Sequence, residues 1–365
     1  MRRAEPDWAL MGLCEPQRLL ELNPAQWSTV VRQARAAGVL ARIGALLDRR
    51  RLSESVPPEA LAHIRAEQRR TSAQHDEVRH EIEAVRGALE PLGLTVILLK
   101  GAAYVASQLP ASQGRSFSDV DLLVPKAHLN VAESALMQRG WMTTHHSPYD
   151  QRYYREWMHE LPPLRHILRQ SVLDVHHTLL PGTTGTRLDP ALLFGAARPV
   201  PGWHGVATLA PTDLVLHSMT HLFYNDDLSR GLRDLSDLDL LLRELGVDEP
   251  WWTLLIERAR ALDLMRPLYF GLTCTRGILG TPIPEPALDV CRRAAAPSWP
   301  SEVLMKRVWS RALSSQHSTA VDGWTPVALF LLYLRAHWLR MPPWMLLRHL
   351  TVKAFMRLTP DPEEA

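Results

Sequence analysis

The amino-acid sequence predicts an α/β (α+β) chain: a small mixed-sheet core flanked by N-terminal and C-terminal helical regions. Two observations carry this expectation. Apolar residues recur at helical spacing over residues 1–90 and again from about residue 205, whereas residues 91–182 hold short β-branched runs alternating with short helical ones. At 365 residues and 46% apolar composition the chain can bury a core and has room for more than one structural unit.

In the first region Leu19, Leu20, Val30, Val31, Val39, Leu40, Ile43 and Leu46 follow a helical period. Pro57-Pro58 interrupts it, and a second helix is expected from about Glu59 to Leu89. Charges occupy most faces of that helix, so it is expected to bridge or brace rather than to fill a core.

The period then changes. Thr95-Val-Ile-Leu-Leu99 reads as a strand buried on both faces, and Ala102 to Leu109 as a short helix stopped by Pro110. Ser118 to Val124 is expected as a second strand, followed by an amphipathic helix from Ala127 to Arg139 that ends at Gly140. Leu164 to Leu168 and Val172 to Leu179 read as a strand pair joined around Gln170-Ser171. The domain expectation is thus an α/β core over residues 91–182, linked through 182–186 and 199–205 to a C-terminal helical domain at 205–358. Helices are expected at Leu214 to Tyr224, Leu228 to Leu245 and Trp251 to Leu262, with a frayed tail at 359–365.

Composition excludes some classes of function. Lys plus Arg number 41 against 39 Asp plus Glu, so bulk charge offers no strong attraction for nucleic acid. Cys14, Cys274 and Cys291 form no CxxC pair, which fits a reducing, cytoplasmic setting. The N-terminus lacks the apolar stretch of a secretion signal, and the best membrane candidate, Val327 to Leu334, is far shorter than the about 20 residues a span needs. No membrane association is expected.

The chemistry concentrates in Ser118-Asp-Val-Asp-Leu-Leu-Val124. Alternation along a strand puts Asp119 and Asp121 on one face, with Val120, Leu122 and Val124 on the other. Two adjacent carboxylates repel unless a cation lies between them, and hard oxygen ligands favour Mg²⁺ or Mn²⁺. A DxD pair alone is weak, because it also occurs on solvated strand edges. Three further features strengthen it. Lys100-Gly101 lies where a strand meets a helix, and a glycine there lets backbone approach a phosphate. Arg115 stands close enough to the acidic strand to pair with a phosphate or an aspartate. Val172-Leu-Asp-Val-His176 sets Asp174 in an apolar strand, where an unpartnered carboxylate is costly. Together these form the parts of two-metal phosphoryl transfer, in which Asp119, Asp121 and Asp174 bind two ions about 3.5 to 4 Å apart.

With those residues in view, Leu98-Leu-Lys-Gly-Ala102, Arg115-Ser-Phe-Ser-Asp-Val-Asp-Leu-Leu-Val124 and Leu173-Asp-Val-His176 resemble the bacterial uncharacterised nucleotidyltransferase family of the polymerase-beta-like superfamily. The resemblance covers roughly residues 90–180. It implies a nucleotidyltransferase core, catalytic and metal-binding roles for Asp119, Asp121 and Asp174, and contacts to the nucleotide from Lys100, Gly101, Arg115 and Ser118. It further implies Mg²⁺ or Mn²⁺ and a nucleoside triphosphate such as ATP as co-substrate. The first motif reads Gly101-Ala102 where the wider superfamily has Gly-Gly or Gly-Ser.

Other candidates are read more plainly. Asp213, His217 and His221 share a helical face, and with Leu214, Leu216 and Met219 around them the histidines are expected in the core or between domains. Arg233, Asp234, Asp237 and Asp239 are expected as helix surface charge. His145-His146 and His176-His177 lack a third ligand in sequence, although His176 shares the face of Asp174 and could support it. The Trp-, Leu- and Arg-rich segment from Trp324 to Arg357 is expected to pack against the α/β unit rather than on a membrane surface. No P-loop and no GxGxxG is present. The expected reaction moves a nucleoside monophosphate from an NTP to an acceptor of undefined type (small molecule, peptide or RNA), releasing pyrophosphate. The rivals are a catalytically silent nucleotide-binding module and a toxin-like enzyme acting on RNA or protein.

Overall fold

The computed structural model describes residues 5–143, 151, 154–155 and 158–340. His145, His146, the end of the Trp324–Arg357 segment and the tail fall outside the described residues.

The N-terminal helices are α1 (Trp8–Cys14), α2 (Pro24–Ala37), α3 (Leu40–Arg49) and α4 (Pro58–Leu89). Asn23 and Gln26 cap α2 reciprocally, each side chain accepting from the other's backbone N–H at 2.9–3.0 Å. Gly38, left-handed at φ 71°, ends the same helix. Trp27, Val30, Ile43 and Leu47 bury against Ile64 of α4, and this cluster forms a core of its own. Further along α4, Val78, Ile82, Val85 and Leu89 enter a second and larger core. One helix of 32 residues therefore joins both cores through a single apolar stripe.

The strands and helices of the centre are β1 (Val96–Leu98), α5 (Lys100–Ala106), β2 (Asp119–Leu123), α6 (Leu129–Gln138), β3 (Trp141–Thr143), β4 (Leu164–His166), β5 (Val172–His176), α7 (Pro190–Ala196), β6 (Arg198–Pro199) and β7 (Val206–Thr208). They make a mixed sheet in the order β3-β4-β5-β2-β1-β7-β6. β2 runs parallel to β5 and antiparallel to β1, while β1 runs parallel to β7. The expected mixed sheet is present, and it reaches beyond residue 182. Val206-Ala-Thr208 pairs with the outer edge of β1, and Pro199 of the expected linking loop lies in β6. Pairing satisfies backbone groups that β1 would otherwise leave bare. Strands of two or three residues are too short to show a period.

The C-terminal helices are α8 (Pro211–Tyr224), α9 (Gly231–Leu245), α10 (Glu249–Ala261), α11 (Met265–Cys274), α12 (Glu285–Ala295), α13 (Trp299–Ala312) and α14 (Thr325–Arg340). They share one core with the sheet. The expectation for α14 is corrected: it packs chiefly on α13, α8 and the turn at Gly182–Thr184 rather than on the strands. Ala328, Leu332 and Ala336 are buried there, while Trp324, Phe330 and Trp338 are exposed. Among the described residues no helix is long and apolar enough to cross a membrane.

Candidate active site

Register decides what the acidic strands can do. In the parallel β2–β5 ladder Asp119 is the partner of Val172, and Asp121 of Asp174. Side chains alternate faces, so Asp119, Asp121, Asp174 and His176 project to one side, with Val120, Leu122, Leu173 and Val175 on the other. The three acids expected at the site are thus brought together.

Their surroundings differ. Asp121 is buried, and its Oδ1 accepts from Lys100 Nζ at 2.7 Å and from His176 Nε2 at 3.0 Å. Burial opposes ionisation, but Lys100 and His176 overcome it and hold the Asp121 carboxyl well below the ordinary range. Asp174 differs: its Oδ1 is buried without a hydrogen bond among the described residues. Burial, reinforced by the charge of Asp121, pushes its carboxyl up to about 7. Asp119 is raised as well, by burial and again by Asp121, while Ser118 Oγ donates to its Oδ1 at 3.0 Å. His176 is shared, with Nε2 on Asp121 and Nδ1 3.2 Å from Glu160 Oε2.

Lys100, at the junction of β1 and α5, adopts φ 43°. Such left-handed backbone in a non-glycine residue costs on the order of 1–3 kcal/mol and is characteristic of functional positions. Here it delivers the ammonium to Asp121. Gly101 serves a different end from the open phosphate approach expected of it. A Cβ there would lie 2.3 Å from both Arg115 Nη1 and Phe117 Cε1, so the missing side chain makes room for the protein's own packing.

Arg115 is also placed differently from the expected phosphate contact. It is buried, and its Nε donates to Asp237 Oδ2 of α9 at 2.7 Å. Arg42 of α3 reaches the other oxygen of Asp237, also at 2.7 Å. Arg42 Nε additionally donates to the carbonyl of Gln113 at 3.1 Å. The neighbouring Gly114, at φ 65°, lies so close to α3 that a Cβ would meet the Arg42 nitrogen at 2.4 Å. The loop leading into the acidic strand is therefore tied to α3 and α9.

Asp237 corrects the reading of 233–239 as surface charge, because it is buried between two guanidiniums. The signal was present: Asp237 stands one helical turn before the inward-facing Leu241. Glu160 and His159 gave none, since only the pairing of residues 159–161 with the end of β5 sets them beside His176. His217 and His221 lie in α8, His217 fully enclosed, with burial pushing it down to about 3. Burial and then Lys100 likewise push His221 well down, so both border the acids as neutral rings. Asp213 is no third ligand, because Arg258 grips both its oxygens at 2.7 Å.

A cleft of about 790 Å³ opens along α4, lined by Gln74, Glu77 and Glu81 and reaching Ser118 and Asp119 of the acidic strand. Glu81 is paired there with Arg169.

Comparison with known proteins finds a family model described as uncharacterised nucleotidyltransferase, which matches residues 23–280. No curated protein and no solved structure matches the chain.

Proposed function

The chain belongs to the uncharacterised nucleotidyltransferase family, and from that premise we propose that it moves a nucleoside monophosphate from an NTP to an acceptor hydroxyl or phosphate, dependent on divalent metal. One observation carries the metal requirement: Asp121 and Asp174 are register partners, and Asp174 Oδ1 is buried without a hydrogen-bond partner among the described residues. An all-carboxylate donor set of this kind fits Mg²⁺ or Mn²⁺. Asp119, Asp121 and Asp174 would hold the ions, with Oδ2 of Asp121 the atom offered, because Lys100 and His176 both use Oδ1. When bound, such ions neutralise charge on the phosphates and on the attacking and leaving oxygens.

The protein's own groups supply the rest. The acceptor oxygen forms a bond to the α-phosphorus, the bond from that phosphorus to the bridging oxygen breaks, and pyrophosphate leaves with the electron pair. The acceptor's proton passes to Asp174, whose affinity near 7 in the metal-free protein falls once a cation binds beside it. Lys100 keeps Asp121 ionised and adds positive charge beside the phosphates. Ser118 orients Asp119 at the mouth of the cleft. Arg115 acts as a positioning residue through Asp237 rather than on the phosphates. The superfamily reading, polymerase-beta-like, rests on the same motif order.

The test is incubation of purified protein with Mg²⁺ and each labelled NTP, beside Asp121→Asn. Metal-dependent label transfer or pyrophosphate release is expected from wild type alone. Turnover undiminished in the variant would sink the assignment.

A further inference from the structure

Beside the acids lies a second group of ligating atoms with different chemistry. Residues 159–161 run antiparallel to the end of β5: His177 N donates to His159 O and Leu161 N to Val175 O, each at 2.9 Å, and Glu160 bridges to His176. This brings one ligand atom each from His159, Glu160 and His176 within 4.8 Å of one another.

The bonding around these atoms is incomplete. His176 Nε2 donates to Asp121 Oδ1 at 3.0 Å, and Nδ1 is the nitrogen left to face Glu160. Nδ1 stands 3.2 Å from Glu160 Oε2, so a proton or a metal ion must lie between the two. His159 Nδ1 is buried close by without a hydrogen-bond partner among the described residues. A cation among the three atoms gives His159 Nδ1 a partner and takes the place of the proton between His176 and Glu160. A histidine that gives one nitrogen to a metal and donates its other N–H to a carboxylate is the usual arrangement at such centres, and Asp121 is already in the donor-accepting place.

We propose that His159, Glu160 and His176 bind one transition-metal ion of the Zn²⁺ class, separate from the all-carboxylate site. Two imidazoles and one carboxylate suit Zn²⁺, Co²⁺ or Mn²⁺, whereas Mg²⁺ prefers oxygen and water. Bonds of about 2.1 Å give a tetrahedral edge of about 3.4 Å, so modest rotation of the side chains closes the present spacing. The ion clamps the 159–161 segment across β5, and through His176 it fixes the orientation of Asp121.

The experiment uses the whole chain, stripped with a chelator and titrated with Co²⁺ without nucleotide. One equivalent is expected to bind with visible d–d absorption, to be displaced by Zn²⁺ and to survive excess Mg²⁺. His159→Ala and Glu160→Gln should each weaken Co²⁺ binding by at least about tenfold, while Asp119→Asn leaves it unchanged. No visible band, a band unaltered in both ligand variants, or loss in Asp119→Asn equal to theirs overturns the proposal. X-ray absorption on the wild-type Zn²⁺ form is independent of whether a variant folds: two imidazole ligands support the site, and fewer than two refute it. None of these readouts depends on nucleotidyl transfer, so failure of either reading is recognised separately.

Discussion

Asp121 and Asp174 stand opposite each other on adjacent parallel strands, yet among the described residues Lys100 and His176 bond Asp121 directly and leave Asp174 Oδ1 without a partner. Both bonds to Asp121 fall on its Oδ1. The pair therefore divides the work of the site: one carboxylate is permanently charged, and the other is ready to take a proton or a metal.

Asp174 should make the metal-free protein sensitive to pH. Its folded value of about 7 lies above the usual 3.8, so between these values the folded chain binds a proton that the unfolded chain releases. Stability from this group is present at the acid end and is lost as pH rises from 3.8 to about 7. Asp174→Asn should remove that slope, raising the metal-free melting temperature at neutral pH and leaving it nearly unchanged in acid. Thermal melts of both proteins with chelator across this range check it. Parallel curves would contradict the assigned environment.

Lys100 should be irreplaceable by arginine. Its compact ammonium reaches Asp121 from a left-handed backbone at a buried junction, and a planar guanidinium has a different shape and reach. Lys100→Met and Lys100→Arg should both lower kcat/KM by roughly 100-fold or more, the loss typical of removing one preorganised charge from an active site. Steady-state kinetics decide, and full activity in Lys100→Arg would mean that charge alone suffices.

Asp237 should be a keystone of stability. Asp237→Ala removes the carboxylate between the buried Arg42 and Arg115 and leaves Arg115 only the more distant Asp234, at 4.0 Å. Breaking a buried pair in this way costs about 3–5 kcal/mol. Urea denaturation should show it as a lower midpoint, and the double variant Arg42→Met with Asp237→Leu should recover part of the loss. A change below about 1 kcal/mol would place Asp237 among solvated surface charges.

Two glycines give an internal control. Gly101→Ala sets a methyl against Arg115 and Phe117 at 2.3 Å, and overpacking of this kind costs about 1–3 kcal/mol. Gly87→Ala, in α4, meets nothing within 4 Å and should stabilise by about 0.5–1 kcal/mol. Melting temperatures moving in opposite directions are expected. A harmless Gly101→Ala would mean that the loop before β2 yields easily.

Much of this was readable in the sequence, for physical reasons that name the exceptions. Strand alternation is a local property, so the common face of Asp119 and Asp121 is legible in the sequence, and the apolar frame of Asp174 points to the half-buried carboxylate with one enclosed oxygen that the structure shows. The partners of those acids were less accessible. Lys100 was visible at its strand-to-helix junction, but its bond to Asp121 depends on the β1–β2 pairing. Glu160 reaches His176 because residues 159–161 lie antiparallel to the end of β5. Arg115 is expected on a phosphate or an aspartate, and the aspartate it meets, Asp237, is hidden because it lies 122 residues away on a helix that reads as solvated. The strands β6 and β7 escaped for a simpler reason, since two or three residues carry no period.

The long helix α4 carries a further consequence. Its residue Ile64 is set in the N-terminal core, and its residues 73–81 form a wall of the cleft at Asp119. Between Ile64 and Gln74 the helix rises roughly 15 Å, so a tilt of roughly 5° about Ile64 displaces the wall by about 1 Å. A displacement of that size can cost a catalyst about 100-fold in rate. The N-terminal helices thus set the aperture of the cleft from a distance, as a tiller sets a rudder. A chain cut at residue 90 would lose one side of that cleft.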